Sequence, residues 1–238
     1  MSVLDGSGLA ILVDPARTSP GAAYSLAARA AEEGAALLLV GNSFGDDENT
    51  AEVARALKAG GAGLAVVQFP ATASQLVPAV DAVLLLSLVS GRNAQYLIEE
   101  HVRAVPFFRR HPKVRSVSTA YCLVDGGGVT TVEAVSQTRP LPADKPDVLA
   151  AHIEAAMRIG MEATYVDAGS GARQPVSTAM IRAARAAARG PLLVGGGIDS
   201  ADAVRSARAA GADYVVVGSL FEHEHERTVR DLALAARA

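Results

Sequence analysis

Apolar and polar positions along the chain repeat one unit: an alanine-rich amphipathic stretch, a glycine, a short apolar run, and a glycine or polar residue seven positions after the first glycine. Gly34 leads through Leu37, Leu38, Leu39 and Val40 to Gly41; Gly160 leads through Thr164, Tyr165 and Val166 to Asp167; Gly211 leads through Tyr214, Val215, Val216 and Val217 to Gly218. A glycine in the left-handed conformation ends a helix without steric cost, and a short branched apolar run behind it suits a parallel strand buried on both faces. Each unit therefore reads as a helix followed by a strand.

Runs of this kind predict strands at residues 9–13, 37–40, 64–68, 83–86, 118–124, 164–167, 192–194 and 214–217, with helices at 22–33, 50–59, 93–109, 147–159, 178–188, 201–210 and from 222 to the end. Eight strands favour a closed (β/α)8 TIM barrel over an open doubly wound sheet, with residues 1–238 as a single domain. One helix is missing. Between the third and fourth strands only residues 70–81 remain, and Pro78 among small and polar residues argues against a regular helix there. After the fifth strand, Gly126, Gly127 and Gly128 open an excursion over residues 129–142 whose Thr, Val and Gln content predicts an extended flap.

At 238 residues, half of them hydrophobic, the chain has the size of one such barrel. A net charge of -3, from 22 basic and 25 acidic residues interspersed, argues against a nucleic-acid partner, so a small anionic substrate needs locally arranged donors. The single cysteine, Cys122, rules out an intrachain disulfide framework and suits a reducing, cytoplasmic setting. No segment approaches the roughly 20 apolar residues of a membrane span, and no basic stretch precedes an apolar run at the N-terminus, so a soluble protein is expected.

Barrels of this type build their sites from the loops after the strands. Here those loops read Asp14-Pro15, Gly41-Asn42-Ser43, Asp167-Ala168-Gly169-Ser170-Gly171, Gly195-Gly196-Gly197-Ile198 and Gly218-Ser219. Glycines let backbone N–H groups close on an anion, and three adjacent glycine loops point to a phosphate cradle where a single one would suggest only a tight turn. Asp14 before a proline suits either a turn-forming cap or a metal-binding carboxylate. Lys58, Lys113 and Lys145 fall away from strand ends, which disfavours a Schiff base, and His101, His111 and His152 do likewise, which weakens a histidine-driven isomerase. Carboxylates, hydroxyls and glycines remain, a set suited to Mg2+ and electrostatic catalysis. His223 and His225, interleaved with glutamates, read as a solvated helix start. Tyr121 and Cys122 face opposite sides of a strand; Cys122 is expected to pack, and Tyr121 either lines a substrate path or fills the barrel.

Read together, these loops resemble the geranylgeranylglyceryl phosphate synthase family, whose bacterial branch includes heptaprenylglyceryl phosphate synthase. The resemblance spans almost the whole chain and is carried by residues 12–15, 40–43, Gln68-Phe69-Pro70, Ser87-Leu88 with Arg92-Asn93 and Tyr96-Leu97-Ile98, 165–172 with Pro175-Val176, 194–198, and Gly211 to Gly218. It implies a barrel lacking its third helix and an enzyme joining an allylic prenyl diphosphate to a hydroxyl of glycerol 1-phosphate, with release of diphosphate. It further implies that Asp14 and Ser43 hold Mg2+. Asp167 would orient the acceptor hydroxyl and take its proton. Tyr165, Ala168, Gly169, Ser170, Gly171, Gly195, Gly196, Gly197, Gly218 and Ser219 would hold the acceptor and its phosphate, with Arg17, Arg92 and Tyr121 completing the substrate-binding set. The prenyl tail would lie near Phe69, Leu88 and Tyr121, on the side the missing helix leaves uncovered. A homodimer and transient membrane association through the lipid product are also implied.

The chain departs from the family pattern at Ala16, Arg17, Ala71, Ser90, Gly91 and Ser219, and most of all at Asp167, where a glutamate is usual. The shorter carboxylate leaves the acceptor open: a related branch, the prenyltransferase of moenomycin-type phosphoglycolipid synthesis, uses 3-phosphoglycerate, whose extra carboxylate would welcome an arginine such as Arg17 or Arg173. Two other readings stand beside this one. They are a phosphosugar isomerase or synthase sharing only the phosphate loops, and a degenerate barrel serving as a binding module.

Overall fold

The three repeat glycines all stand at positive φ, Gly34 at 85°, Gly160 at 94° and Gly211 at 111°. Gly34 caps its helix by donating its N–H to Ala30 O. In the computed structural model, which describes residues 3–44, 48–218 and 228–237, such units close on one another. The strands are β1 (Gly8–Val13), β2 (Leu37–Val40), β3 (Val66–Gln68), β4 (Ala82–Leu88), β5 (Arg115–Leu123), β6 (Ala163–Asp167), β7 (Leu192–Gly195) and β8 (Tyr214–Val217). They form a closed parallel barrel in chain order, with β8 returning to β1. Around it lie α1 (Pro20–Glu33), α2 (Thr50–Gly60), α3 (Glu100–Arg110), α4 (Thr131–Ser136), α5 (Pro146–Arg158), α6 (Thr178–Ala187), α7 (Ala201–Ala209) and α8 (Thr228–Ala235). His223 and His225 lie outside the described residues.

Alternation along the strands separates two apolar layers. Leu37, Leu39, Val67, Leu84, Leu193 and Tyr214 fill the barrel, whereas Leu38, Val40, Val83, Val166, Val194 and Val215 pack outward beneath the helices. Cys122 belongs to the outer layer, and burial pushes its thiol up to about 12. It packs, as expected.

No helix covers the barrel between β3 and β4; a single 3-10 turn, Ala73–Gln75, stands there, held by a capping box between Thr72 and Gln75. The expected flap over residues 129–142 needs correction. Thr130 accepts a hydrogen bond from Glu133 N and starts α4, which ends at Gln137 in the left-handed conformation. Local capping outweighs the strand preference of Thr and Val. Only Leu141 retains extended pairing, bridging to Val124. Ahead of α3 the helix widens into a π turn, Gln95–Glu99, a departure from regular winding often found beside functional sites. Among the described residues no helix is long and apolar enough to cross a membrane.

Candidate active site

Register brings the chemistry together at the upper end of the barrel. Tyr121 pairs with Tyr165 and Leu123 with Asp167 across β5 and β6, and Asp167 pairs with Gly195 on β7. A side chain at Gly195 would overlap the Tyr165 hydroxyl, so this glycine makes room for the tyrosine and lines none of the cavities described below. Tyr165, Tyr121 and Phe69 form an aromatic cluster with ring centroids 5.1–6.0 Å apart.

Asp167 is buried at the edge of this cluster. Its Oδ2 accepts from Tyr121 Oη at 2.7 Å and its Oδ1 from Gly169 N at 2.8 Å. Burial raises its pKa, with the two donors pulling the other way. The phenols of Tyr121 and Tyr165 are pushed well above their ordinary range, first by burial and then by Asp167, and so remain protonated. The outcome is a buried carboxylate poised to take a proton, with the Tyr121 phenol donating to it.

Among the described residues three cavities open at this end, and Ser43 and Phe69 line all of them. The first is apolar, walled by Phe69, Leu86, Leu88, Tyr96, Tyr121, Val132 and Val135. It lies where the sequence places the trough, and α4 supplies Val132, Val135 and Ser136 to its wall. The second is polar, lined by Tyr165, Asp167, Ser170, Gly171, Gly196, Gly197 and Gly218. Gly196 and Gly197 stand at φ 81° and 67°, and among the described residues their N–H groups bond to no backbone carbonyl. Amides in that condition suit an anion. The N–H of Ala168 is taken by Gly195 O and that of Gly169 by Asp167, so those two residues shape the loop without offering donors.

The third cavity holds Asp14, Arg17, Asn42, Ser43 and Ser170. Asp14 Oδ1 accepts from Ala16 N at 2.9 Å and Asn42 Nδ2 at 3.0 Å, and Arg17 Nε lies 3.7 Å from Oδ2. One oxygen thus forms the turn that the following proline favours, while the other faces Arg17. Asn42 is itself held by Gln75 Nε2 at 3.1 Å, and Gln75 O accepts from Gln68 Nε2 at 2.6 Å. Asn42, Gln75 and Gln68 were not among the expected site residues. The loop strings Gly41-Asn42-Ser43 and Gln68-Phe69-Pro70 contain two of them, but nothing local marks Gln75.

Two expected participants lie elsewhere. Arg92 turns to Gly91 O at 2.6 Å and to His152 at 3.5 Å, lining none of the three cavities. Arg173 runs beside Gly127 and Gly128 and is likewise absent from them. Ser219 lies outside the described residues.

A family model described as the PcrB family matches residues 7–236. The chain is 42% identical to a geranylgeranylglyceryl phosphate synthase of Spirosoma linguale over 90% of this chain and 86% of the relative. It is 37% identical to one from Methanothrix thermoacetophila over 97% and 91%. Among solved structures, (S)-3-O-geranylgeranylglyceryl phosphate synthase from Thermoplasma acidophilum, in complex with its substrate sn-glycerol-1-phosphate, superposes with a TM-score of 0.90 at 26% identity, covering 98% of this chain and 94% of that one.

Proposed function

The chain belongs to the PcrB family, and on that premise we propose that it is a prenyltransferase joining an allylic prenyl diphosphate to a hydroxyl of a phosphorylated three-carbon acceptor. The observation that carries this reading is the meeting of an apolar trough and a glycine-lined polar cavity at Ser43 and Phe69, with a buried carboxylate beside the polar one. A phosphosugar isomerase has no use for the trough.

In the reaction the allylic carbon–oxygen bond breaks, diphosphate leaves with the electron pair, and the acceptor oxygen forms the new ether bond. Its proton goes to Asp167, whose raised pKa suits it to the task. Tyr121 keeps that carboxylate aimed, and the amides of Gly196 and Gly197 hold the acceptor phosphate. The aromatic cluster excludes water from the allylic carbon.

Asp14 and Ser43 fit Mg2+. Magnesium takes one or two carboxylates together with substrate phosphates rather than a full protein cage, and Asp14 and Ser43 line the same cavity, with only one Asp14 oxygen engaged in the turn. When bound there, the ion supplies neutralising charge to the leaving diphosphate.

The test is incubation with radiolabelled farnesyl or geranylgeranyl diphosphate, against glycerol 1-phosphate, glycerol 3-phosphate and 3-phosphoglycerate, with and without Mg2+. A Mg2+-dependent labelled ether that partitions into solvent is expected. Absence of product with every pair would overturn the reading.

A further inference from the structure

Between the bare flank and the third cavity runs a chain of buried amides. Gln68, Gln75 and Asn42 are 0%, 7% and 8% exposed. Gln68 Oε1 accepts from Val77 N at 3.1 Å and its Nε2 donates to Gln75 O at 2.6 Å, which anchors the backbone of the 3-10 turn. Gln75 Oε1 accepts from Ala71 N at 2.6 Å and Thr72 N at 3.3 Å, and its Nε2 donates to Asn42 Oδ1 at 3.1 Å. Asn42 Nδ2 then donates to Asp14 Oδ1 at 3.0 Å. Backbone N–H groups can only donate, so the end of Gln75 beside Ala71 and Thr72 is its oxygen, and the direction of each later amide follows. The relay delivers a donor to Asp14.

We propose that Gln75 is a positioning residue of the donor site, locking this relay so that Asp14 presents its carboxylate in one orientation to the metal ion and diphosphate of the prenyl donor. The inference rests on the Mg2+ and prenyltransferase reading above. Asp14 Oδ1 is engaged by Ala16 N and Asn42 Nδ2, which fixes the plane of the carboxylate and leaves Oδ2 outside the relay. Asn42 holds that oxygen firmly only while its own Oδ1 is tied, because a side chain bonded at one end swings for the loss of a single hydrogen bond. Turning Gln75 over would set its NH2 against two backbone N–H groups and strand them in the interior. The turn on the bare flank thus acts at a distance: Ala73–Gln75 are absent from the lining of the third cavity, yet they set how Asp14 stands in it.

The experiment measures by calorimetry how much more tightly each protein binds magnesium diphosphate than metal-free diphosphate, alongside the acceptor KM. In the wild type the metal adds to affinity. Gln75→Met, similar in length but without the amide, is expected to cut that metal-dependent gain about tenfold, the low end for loss of an outer-shell partner, with the acceptor KM unmoved. Gln75→Glu still offers an oxygen to Ala71 and Thr72 and so keeps the turn, but faces Asn42 with an acceptor; it keeps the proposal testable if Gln75→Met does not fold. It should lose the gain as well, although an added negative charge by itself would attract the cation. Gln75→Met combined with Asn42→Ala should bind as Asn42→Ala alone does, since Gln75 acts only through Asn42. A gain retained in folded Gln75→Glu, or losses that multiply in the double variant, reduces Gln75 to a prop for the turn and overturns the proposal alone. A wild type that forms prenyl ether yet gains nothing from the metal overturns the Mg2+ site and the positioning role together, and absence of ether from every substrate pair overturns the function with them.

Discussion

Tyr121 donates its phenolic proton to Asp167 Oδ2 over 2.7 Å, although the two side chains stand 46 residues apart in the chain. The bond stabilises the charged carboxylate against burial, which alone would raise its pKa further. In Tyr121→Phe that support is gone, and the acidic limb of the pH–rate profile moves to higher pH. At pH 7 kcat/KM is expected to fall about tenfold, the lower end of what a hydrogen bond to a charged group contributes, with partial recovery at alkaline pH. A tyrosine that merely fills the barrel would lower activity without moving the limb.

Asp167→Asn separates catalysis from stability. Burial lifts the carboxyl above its ordinary 3.8, so the folded chain keeps the proton to higher pH than the unfolded chain. The stability that this group contributes is therefore full below that ordinary value and is lost as pH rises through the raised one. Asparagine suffers no such loss. Thermal denaturation of the variant relative to wild type should show an advantage that grows from acidic to neutral pH, while kcat drops about 100-fold or more for want of the base. A flat difference across pH would mean that Asp167 is not held in the strained state its burial indicates.

Asp14 and Asn42 form one unit, since Asn42 holds Oδ1 of Asp14 and is itself held by Gln75. Asp14→Ala should leave circular dichroism unchanged and abolish Mg2+-dependent turnover. Asn42→Ala leaves the carboxylate present but poorly aimed, and is expected to raise the Mg2+ concentration for half-maximal rate about tenfold, in line with the loss of an outer-shell partner. Equal Mg2+ titrations for wild type and Asn42→Ala would detach the amide from this site.

The barrel was legible because its strands are short apolar runs behind glycines, a signal that depends on local sequence alone. The missing helix was legible for the same reason, through Pro78 and the shortness of the segment. The cradle glycines could be found, but not their separate duties. Gly195 makes room for Tyr165, a contact that arises only from register between β6 and β7, and Gly169 donates to Asp167 within the loop once β6 has buried that carboxylate. Arg92 and Arg173 show the converse, since long flexible side chains follow whatever acceptors the fold places near them. The segment at 129–142 was misread because a Thr-x-x-Glu cap outweighed composition.

The phosphate cradle is tested at Gly218. A side chain at Gly196 would collide with Asp167 Oδ1 and Gly169 N, each 2.6 Å from the new β-carbon, in a backbone with φ 81°, so a loss there reports strain rather than binding. At Gly218 the new β-carbon comes no closer than 3.4 Å to Leu12 O, and Gly218 lines both polar cavities. Gly218→Val should therefore fold and raise the acceptor KM about tenfold by filling space the phosphate needs, with the donor KM little changed. An acceptor KM that stays put in the folded variant would sink the assignment.

Acceptor choice turns on Asp167 and Arg17. Aspartate holds its carboxylate one methylene further from the polar cavity than glutamate would, leaving room beside a three-carbon backbone. Arg17 borders the adjoining cavity, 3.7 Å from Asp14, where its guanidinium suits the carboxylate that 3-phosphoglycerate has and glycerol phosphate lacks. Arg173, lying along Gly127 and Gly128, lines neither polar cavity. We expect 3-phosphoglycerate to compete with glycerol 1-phosphate in the wild type, and Asp167→Glu to shift kcat/KM toward glycerol 1-phosphate about tenfold by crowding the added group. Arg17→Ala should weaken 3-phosphoglycerate more than glycerol 1-phosphate, since only the former loses a partner. Parallel measurement of both acceptors in the three proteins decides it. A wild type that uses glycerol 1-phosphate alone, with neither variant altering that preference, removes Arg17 from acceptor selection and leaves Asp167 with the proton transfer only.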